Sequence, residues 1–213
     1  MASGKEVEIK FFVDDLDALN RKLKRSGFKL QTRRTHEMNT LFDTPDLALR
    51  GRGELLRIRK YGDEWVLTHK AKSGKETAKH KSRIETETRV EDGKKLEAIV
   101  RALGFQPSFA YEKFRAEWTD DNGQVVVDET PIGNIAEIEG RARWIDQTAR
   151  ALGVAPEQYV TKNYATLFED WKERTGSKAA NMTFREVGKR LASATPTNAV
   201  ARNRLKQKTS PRK

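Results

Sequence analysis

Alternation constrains this chain more than any other feature. In at least six stretches, charged residues occupy every second position and apolar residues fill the gaps. A period of two belongs to extended strands, whose successive side chains point to opposite faces. In Glu6-Val7-Glu8-Ile9-Lys10 the charges of Glu6, Glu8 and Lys10 share one face, and Val7, Ile9 and Phe11 share the other. Arg57 and Arg59 oppose Leu56 and Ile58, and Lys113, Arg115 and Glu117 oppose Phe114, Ala116 and Trp118. Glu137 and Glu139 oppose Ala136 and Ile138, and the strand Ser82 to Val90 sets Arg83, Glu85, Glu87 and Arg89 on one face.

Between these strands lie turn and helix signals. Tyr61-Gly62-Asp63-Glu64 predicts a hairpin into Trp65–Lys70, and Asp121-Asn122-Gly123 predicts another into Gln124–Asp128. Phe28 to Thr32 and His36 to Phe42 read as two further strands, and Asp43-Thr44-Pro45-Asp46 as a turn or helix start. Leu16, Leu19 and Leu23 fall on one helical face stopped by Gly27; Asp92 caps a second helix stopped by Gly104. Residues 142–152 and 163–174 also read as helical. The polar run Ala71 to Lys81 reads as a mobile loop, and Arg50-Gly51-Arg52-Gly53 as a turn, since it lacks the ending of a phosphate-cradling P-loop. Antiparallel strands with amphipathic helices predict an α+β domain on a curved sheet or barrel.

The hydrophobic fraction of 36% against a charged fraction of 34% suits a single apolar core poorly, unless charge is buried for a purpose or the ends are disordered. The absence of cysteine excludes disulfides, thiolate metal sites and thiol catalysis. No signal-peptide pattern and no apolar run near membrane length is present, which makes a cytoplasmic protein the expectation. The net charge of +11 is uneven: residues 175–213 hold ten Lys/Arg against one acid and so carry +9 of it. The expected division is a domain over 1–174 and a basic, disordered tail over 175–213, with a short amphipathic helix near Phe184, Val187 and Leu191. Such a tail suits attachment to a polyanion or mere solubilisation, and cutting after Gly176 is expected to leave the domain complete.

Two architectures accommodate the alternation. One is a sheet with its charged face in water. The other is a barrel with a polar interior and helices on its apolar outside. The charges are sorted by strand: Glu6/Glu8, Glu85/Glu87, Asp128 and Glu137/Glu139 are acidic groups, while Arg57/Arg59, Lys70 and Lys113/Arg115 are basic. Seven carboxylates in one lumen need counter-charge, which divalent cations with oxygen ligands supply; Mg²⁺ or Mn²⁺ is the natural choice. Arg and Lys in the same lumen call for an anion rich in oxygens, since Arg grips phosphate bidentately and Lys acts as a point charge. The three histidines, His36, His69 and His80, show no metal-ligand spacing, and Trp65, Trp118 and Trp144 read as packing residues.

These residues resemble the CYTH superfamily, the triphosphate tunnel metalloenzymes. Glu6-x-Glu8-x-Lys10 is similar to its ExExK signature. Arg57-x-Arg59, Lys70, Arg83-x-Glu85-x-Glu87, Lys113-x-Arg115, Asp128 and Glu137-x-Glu139 follow in the family's order over residues 5–172. Lys162-Asn163-Tyr164 stands where the family tends to have Lys-Ser-Tyr, and Phe42-Asp43-Thr44-Pro45 resembles another recurrent stretch. The resemblance implies an eight-stranded antiparallel β-barrel tunnel, polar inside and flanked by helices, that binds a triphosphate and divalent metal. It assigns Glu6, Glu8, Glu85, Glu87, Asp128, Glu137 and Glu139 to the metals. Lys10, Arg57, Arg59, Lys70, Arg83, Lys113, Arg115 and Lys162 go to the triphosphate, with Arg83 and Lys113 as alternative structural ion-pair partners. Lys10, Arg57 and Arg59 are the expected catalytic set.

Three functions are compatible with this set. A metal-dependent triphosphatase lets water attack the terminal phosphorus. A class IV adenylyl cyclase uses the same tunnel but a ribose hydroxyl and the α-phosphorus, and needs an adenine pocket that the sequence does not assign. A non-catalytic polyphosphate or nucleic-acid module would have no use for seven acids. The sequence leaves the substrate, the preferred metal and the oligomeric state open.

Overall fold

The computed structural model describes residues 4–74 and 81–188, apart from the side chains of residues 4–6 and 81. Its eight strands are β1 (Gly4–Phe12), β2 (Lys29–Asp43), β3 (Leu55–Tyr61), β4 (Glu64–Lys72), β5 (Lys81–Val90), β6 (Gln106–Thr119), β7 (Gln124–Thr130) and β8 (Gly133–Glu139). They close into a barrel in the order β1-β5-β4-β3-β2-β6-β7-β8, antiparallel at every step. The helices are α1 (Leu16–Arg25), α2 (Ala48–Arg52), α3 (Gly93–Ala102), α4 (Ala142–Leu152), α5 (Tyr164–Thr175) and α6 (Phe184–Val187). None among the described residues is long and apolar enough to cross a membrane.

The apolar half of each alternating strand faces outward and is covered by helices. Ile9, Phe11, Val125, Val127, Ala136 and Ile138 pack under Leu19 and Leu23 of α1 and Ile145, Ala149 and Leu152 of α4. Val100 of α3 packs with Phe42 and Ile58 on another flank. Burying such side chains is worth about 1.5–3 kcal/mol each, which fixes the register and sends the charged half of each strand into the lumen. The tryptophans follow the packing expectation: Trp118 lies in the first cluster, with Trp144 against it, and Trp65 packs against the second.

Local chemistry explains the connections. Asp15 and Asp92 cap α1 and α3 by accepting backbone N–H bonds. The expected hairpin at Asp121-Asn122-Gly123 forms, and there a Cβ on Gly123 would lie 2.4 Å from the Trp144 ring. Asp43 ends β2 by accepting from the N–H groups of Thr44, Leu49 and Arg50, which folds the 44–50 turn over.

Several expectations are corrected. The two strands expected over 28–42 are one, because the Arg33-Arg34 break is absorbed as a bulge between Thr32↔Glu117 and Thr35↔Arg115. Arg50-Gly51-Arg52 belongs to the helix α2, which Gly53 terminates with φ 73°. Ala71 and Lys72 continue β4 and Lys81 opens β5; of the expected loop between them, 75–80 with His80 lie outside the described residues. On the C-terminal side, beyond the expected 174/175 boundary, residues 177–188 pack on the barrel. Met182 is fully buried and forms a parallel bridge with Tyr111 of β6, and Phe184 begins α6. Leu191 and the region from Ser193 lie outside the described residues.

Candidate functional site

The lumen holds a cavity of about 310 Å³. Of the residues singled out by sequence, Glu8, Lys10, Arg57, Arg59, Lys70, Glu85, Glu87, Lys113, Arg115, Glu137 and Glu139 line it. Six strands, β1, β3, β4, β5, β6 and β8, supply these residues, with each pair set at i and i+2 by the strand period.

Pairing of β1 with β8 places Glu8 opposite Glu139 and Lys10 opposite Glu137. Carboxylate oxygens of Glu8, Glu137 and Glu139 lie within 4.8 Å of one another, a grouping able to hold a cation. The Lys10 ammonium sits between two of them, 2.7 Å from Glu8 and 3.1 Å from Glu137. Burial alone would push the Glu137 carboxyl up, but Lys10, Arg115 and Lys113 hold it well below the ordinary range. Burial likewise opposes charge on Lys10, yet Glu137 and Glu8 hold its ammonium above the ordinary lysine range. An all-oxygen donor set without His or Cys suits a hard divalent cation such as Mg²⁺ or Mn²⁺.

A second wall comes from β3, β4 and β5, which follow β1 in the barrel order. Arg57 donates to Thr68 Oγ1 at 3.2 Å and to Glu87 at 3.3 Å; Lys70 lies 3.0 Å from Glu85, and Arg59 3.6 Å from Glu87. Thr68 donates to Glu87 at 2.7 Å. Burial raises the Glu87 carboxyl, and the Thr68 and Glu85 bonds with Arg59 and Arg57 reverse this to a lowered value.

A third arrangement joins β2, β6 and β7. Arg115 grips Asp128 bidentately at 2.8 and 2.7 Å and reaches Glu137 at 2.8 Å; Lys113 reaches Asp128 at 2.8 Å. Tyr164 donates its phenol proton to the same Asp128 oxygen, and burial with Asp128 raises that phenol well above its ordinary range. Glu37 completes the cluster, 3.4 Å from Lys113. Burial would raise the Glu37 carboxyl, but Lys113, Arg115, Arg59 and Arg57 hold it far below the ordinary range.

The structure does not bring all the expected site residues together. Asp128, expected as a metal ligand, is fully buried under two cations and a phenol and is absent from the carboxylate grouping. Lys113 lines the cavity and is buried in ion pairs with Glu37 and Asp128. Lys162 faces outward at 52% exposure and pairs with Asp170 at 2.6 Å, because Asn163 starts α5 one residue later and turns the chain. Arg83 does not line the cavity. The Glu6 side chain lies outside the described residues, although its backbone pairs with Arg83. Glu37, Thr68 and Tyr111 were not singled out by sequence. The alternation Glu37-x-Asn39 was the available signal for Glu37.

Comparison with known proteins converges on one family. Residues 4–149 match the model of the CYTH domain. A protein of Methanocaldococcus jannaschii provisionally named adenylate cyclase is 27% identical over 173 residues, which span 76% of this chain and 97% of that one. A Vibrio parahaemolyticus structure with the same provisional name superposes with TM-score 0.70 at 16% identity, covering 79% of this chain and 99% of that chain. A Hippeastrum protein, provisionally named adenylyl cyclase and described as having a dominant triphosphatase activity, superposes with TM-score 0.55 at 18% identity, covering 78% and 95%.

Proposed function

This chain belongs to the CYTH family, and from that premise we propose that it is a divalent-metal-dependent triphosphatase. The observation that carries the reading is the division of one lumen into a carboxylate grouping on β1 and β8 and a guanidinium-ammonium wall on β3 and β4. A cation site facing an anion grip is the apparatus of phosphoryl transfer.

Arg57 and Arg59 present two guanidinium groups on one face of β3, suited to bidentate contact with phosphoryl oxygens, and Lys70 adds a point charge. Their task is to orient the chain of phosphates and to offset charge building on the departing diphosphate. Water forms the new P–O bond at the terminal phosphorus while the bridging P–O bond breaks, giving orthophosphate and diphosphate. Glu8, Glu137 and Glu139 would hold the divalent metal, which would supply Lewis-acid polarisation of the phosphoryl oxygens. Lys10 lies between Glu8 and Glu137 and offsets part of their charge.

The names of the relatives favour a second reading, an adenylyl cyclase. That reaction must seat adenine. The apolar and aromatic lining residues are Leu41, Leu55, Tyr111, Tyr164 and Ala165, and the two tyrosines are stacked on each other. The Hippeastrum neighbour supports hydrolysis even under a cyclase name. Incubation with inorganic triphosphate and with ATP, each with Mg²⁺ or Mn²⁺, separates the readings. Hydrolysis predicts orthophosphate from both or from triphosphate alone; cyclic AMP with diphosphate from ATP selects the cyclase.

A further inference from the structure

Residues 177–188 lie beyond the stretch that matches the family model and beyond the last long helix, yet they are tied to the wall of the lumen. The strand β6 outruns β7: β7 pairs with it only from Phe114 to Thr119. The exposed edge of β6 before Phe114 is taken up by the C-terminal segment. Met182 N–H donates to Ala110 O at 3.0 Å, and Glu112 N–H donates to Met182 O at 3.1 Å. Ala110 N–H donates to Asn181 Oδ1 at 2.8 Å, and Phe184 N–H to Glu112 Oε1 at 2.7 Å. Glu186 then folds the segment on itself by accepting from the Ala180 and Asn181 N–H groups at 2.9 and 2.8 Å.

What this strap buries is the back of the site. The fully buried Met182 packs in one cluster with Tyr111, Tyr164 and Phe168. Tyr111 and Tyr164 stack with ring centroids 5.5 Å apart, and both line the lumen. Arg57 donates to the Tyr111 hydroxyl at 3.4 Å, and Tyr164 donates to Asp128, the anchor of Lys113 and Arg115. One apolar side chain therefore stands behind two phenols that touch the phosphate grip on one side and its buried counterweight on the other.

We infer that the 177–188 strap is a positioning element of the site, with Met182 holding Tyr111 and Tyr164, and through them Arg57 and Asp128, in the geometry that receives a triphosphate. This rests on the reading of the lumen as a triphosphate site. Arg57 belongs to the phosphate grip and Asp128 to the buried wall beside it, so the effect falls on affinity and KM more than on kcat.

The test uses full-length protein. Met182→Ala is expected to weaken equilibrium binding of inorganic triphosphate and to raise KM, each on the order of tenfold, as small misplacements of a binding constellation do. The ring signals of Tyr111 and Tyr164 should shift in ¹³C-tyrosine-labelled, ligand-free protein. Met182→Leu should restore affinity and ring signals together. Val100→Ala, in the α3 packing on the barrel's outside, should change neither, even where it lowers Tm as much. If Met182→Ala does not fold, Asn181→Ala, which removes the acceptor of the Ala110 N–H and the Nδ2 donor to Glu186 Oε1, carries the same measurements. Wild-type affinity and unmoved ring signals in the strap variant overturn the inference, as does an equal loss of affinity in Val100→Ala. If wild-type protein does not bind inorganic triphosphate, the lumen reading fails, and the ring signals alone decide whether the strap positions the tyrosines.

Discussion

Two walls of the same lumen are built from the same residue types and differ in what those residues face. On the β6–β7 side, Lys113, Asp128, Glu37 and Arg115 are 0–10% exposed and answer one another's charge within the protein. On the β3–β5 side, Arg57, Arg59, Lys70, Glu85 and Glu87 are 10–33% exposed, and their ion pairs run from 3.0 to 3.8 Å, where the shortest contacts to Asp128 on the first wall are 2.7 and 2.8 Å. A buried pair needs excellent geometry to offset its desolvation, and breaking it strands a charge. A looser, wetter pair can exchange its partner for a ligand at little cost. The first wall thus holds the barrel's shape, and the second is left for the substrate.

The largest expected effect lies on the buried wall. Asp128→Ala takes from Lys113 and Arg115 the buried carboxylate they share and leaves the two cations with Glu37 and Glu137 alone, at a cost of about 3–5 kcal/mol. Thermal unfolding should show Tm reduced by roughly 10 °C or more; an unchanged Tm would erase the distinction between the walls. On the substrate wall, Arg59→Ala should leave Tm nearly in place and weaken triphosphate binding by on the order of tenfold to a hundredfold, the value of charged hydrogen bonds. Arg59→Lys keeps the charge without the fork and should lose less. Calorimetric titration checks both, and equal affinity in all three proteins removes Arg59 from the grip.

An intermediate effect is expected from pH. Cations hold the Glu37 carboxyl below its ordinary value, so it binds fewer protons folded than unfolded. Its contribution is therefore complete above the unfolded carboxyl pKa of about 4.3 and is lost as pH falls below it. Tm should be flat down to about pH 5 and then fall, with a shallower acid limb in Glu37→Gln. An identical acid limb in both proteins would show that Glu37 is not held this way. The smallest effect is expected from Lys162→Ala, which breaks a surface pair with Asp170 worth about 0–1 kcal/mol. Triphosphate turnover should be unchanged, and a large loss would return Lys162 to the site.

The substrate wall was legible because its information is local. Arg57-x-Arg59 and Glu8-x-Lys10 need only the strand period to share a face, and Leu56, Ile58 and Ile9 say which face is outside. Glu37 was harder to see, since the run from Gln31 to Thr35 is polar at every position and hides where alternation resumes. Asp128 reads as one more lumen acid until the β6–β7 register sets it across from Arg115. Lys162 depends on where α5 begins, which Asn163 decides by capping the Thr166 N–H. The strap was read as tail because each of its described hydrogen bonds to β6 uses at least one main-chain group and its apolar residues are few. Hydropathy records neither a main-chain bridge nor a lone buried methionine.

The most direct test of the division between the walls is a crystal structure with Mg²⁺ and a non-hydrolysable triphosphate analogue. The account predicts phosphoryl oxygens on Arg57, Arg59 and Lys70, the cation on Glu8, Glu137 and Glu139, and the Arg115–Asp128–Lys113 contacts intact. A triphosphate seated on Lys113 and Arg115, with Asp128 released from both, would contradict it.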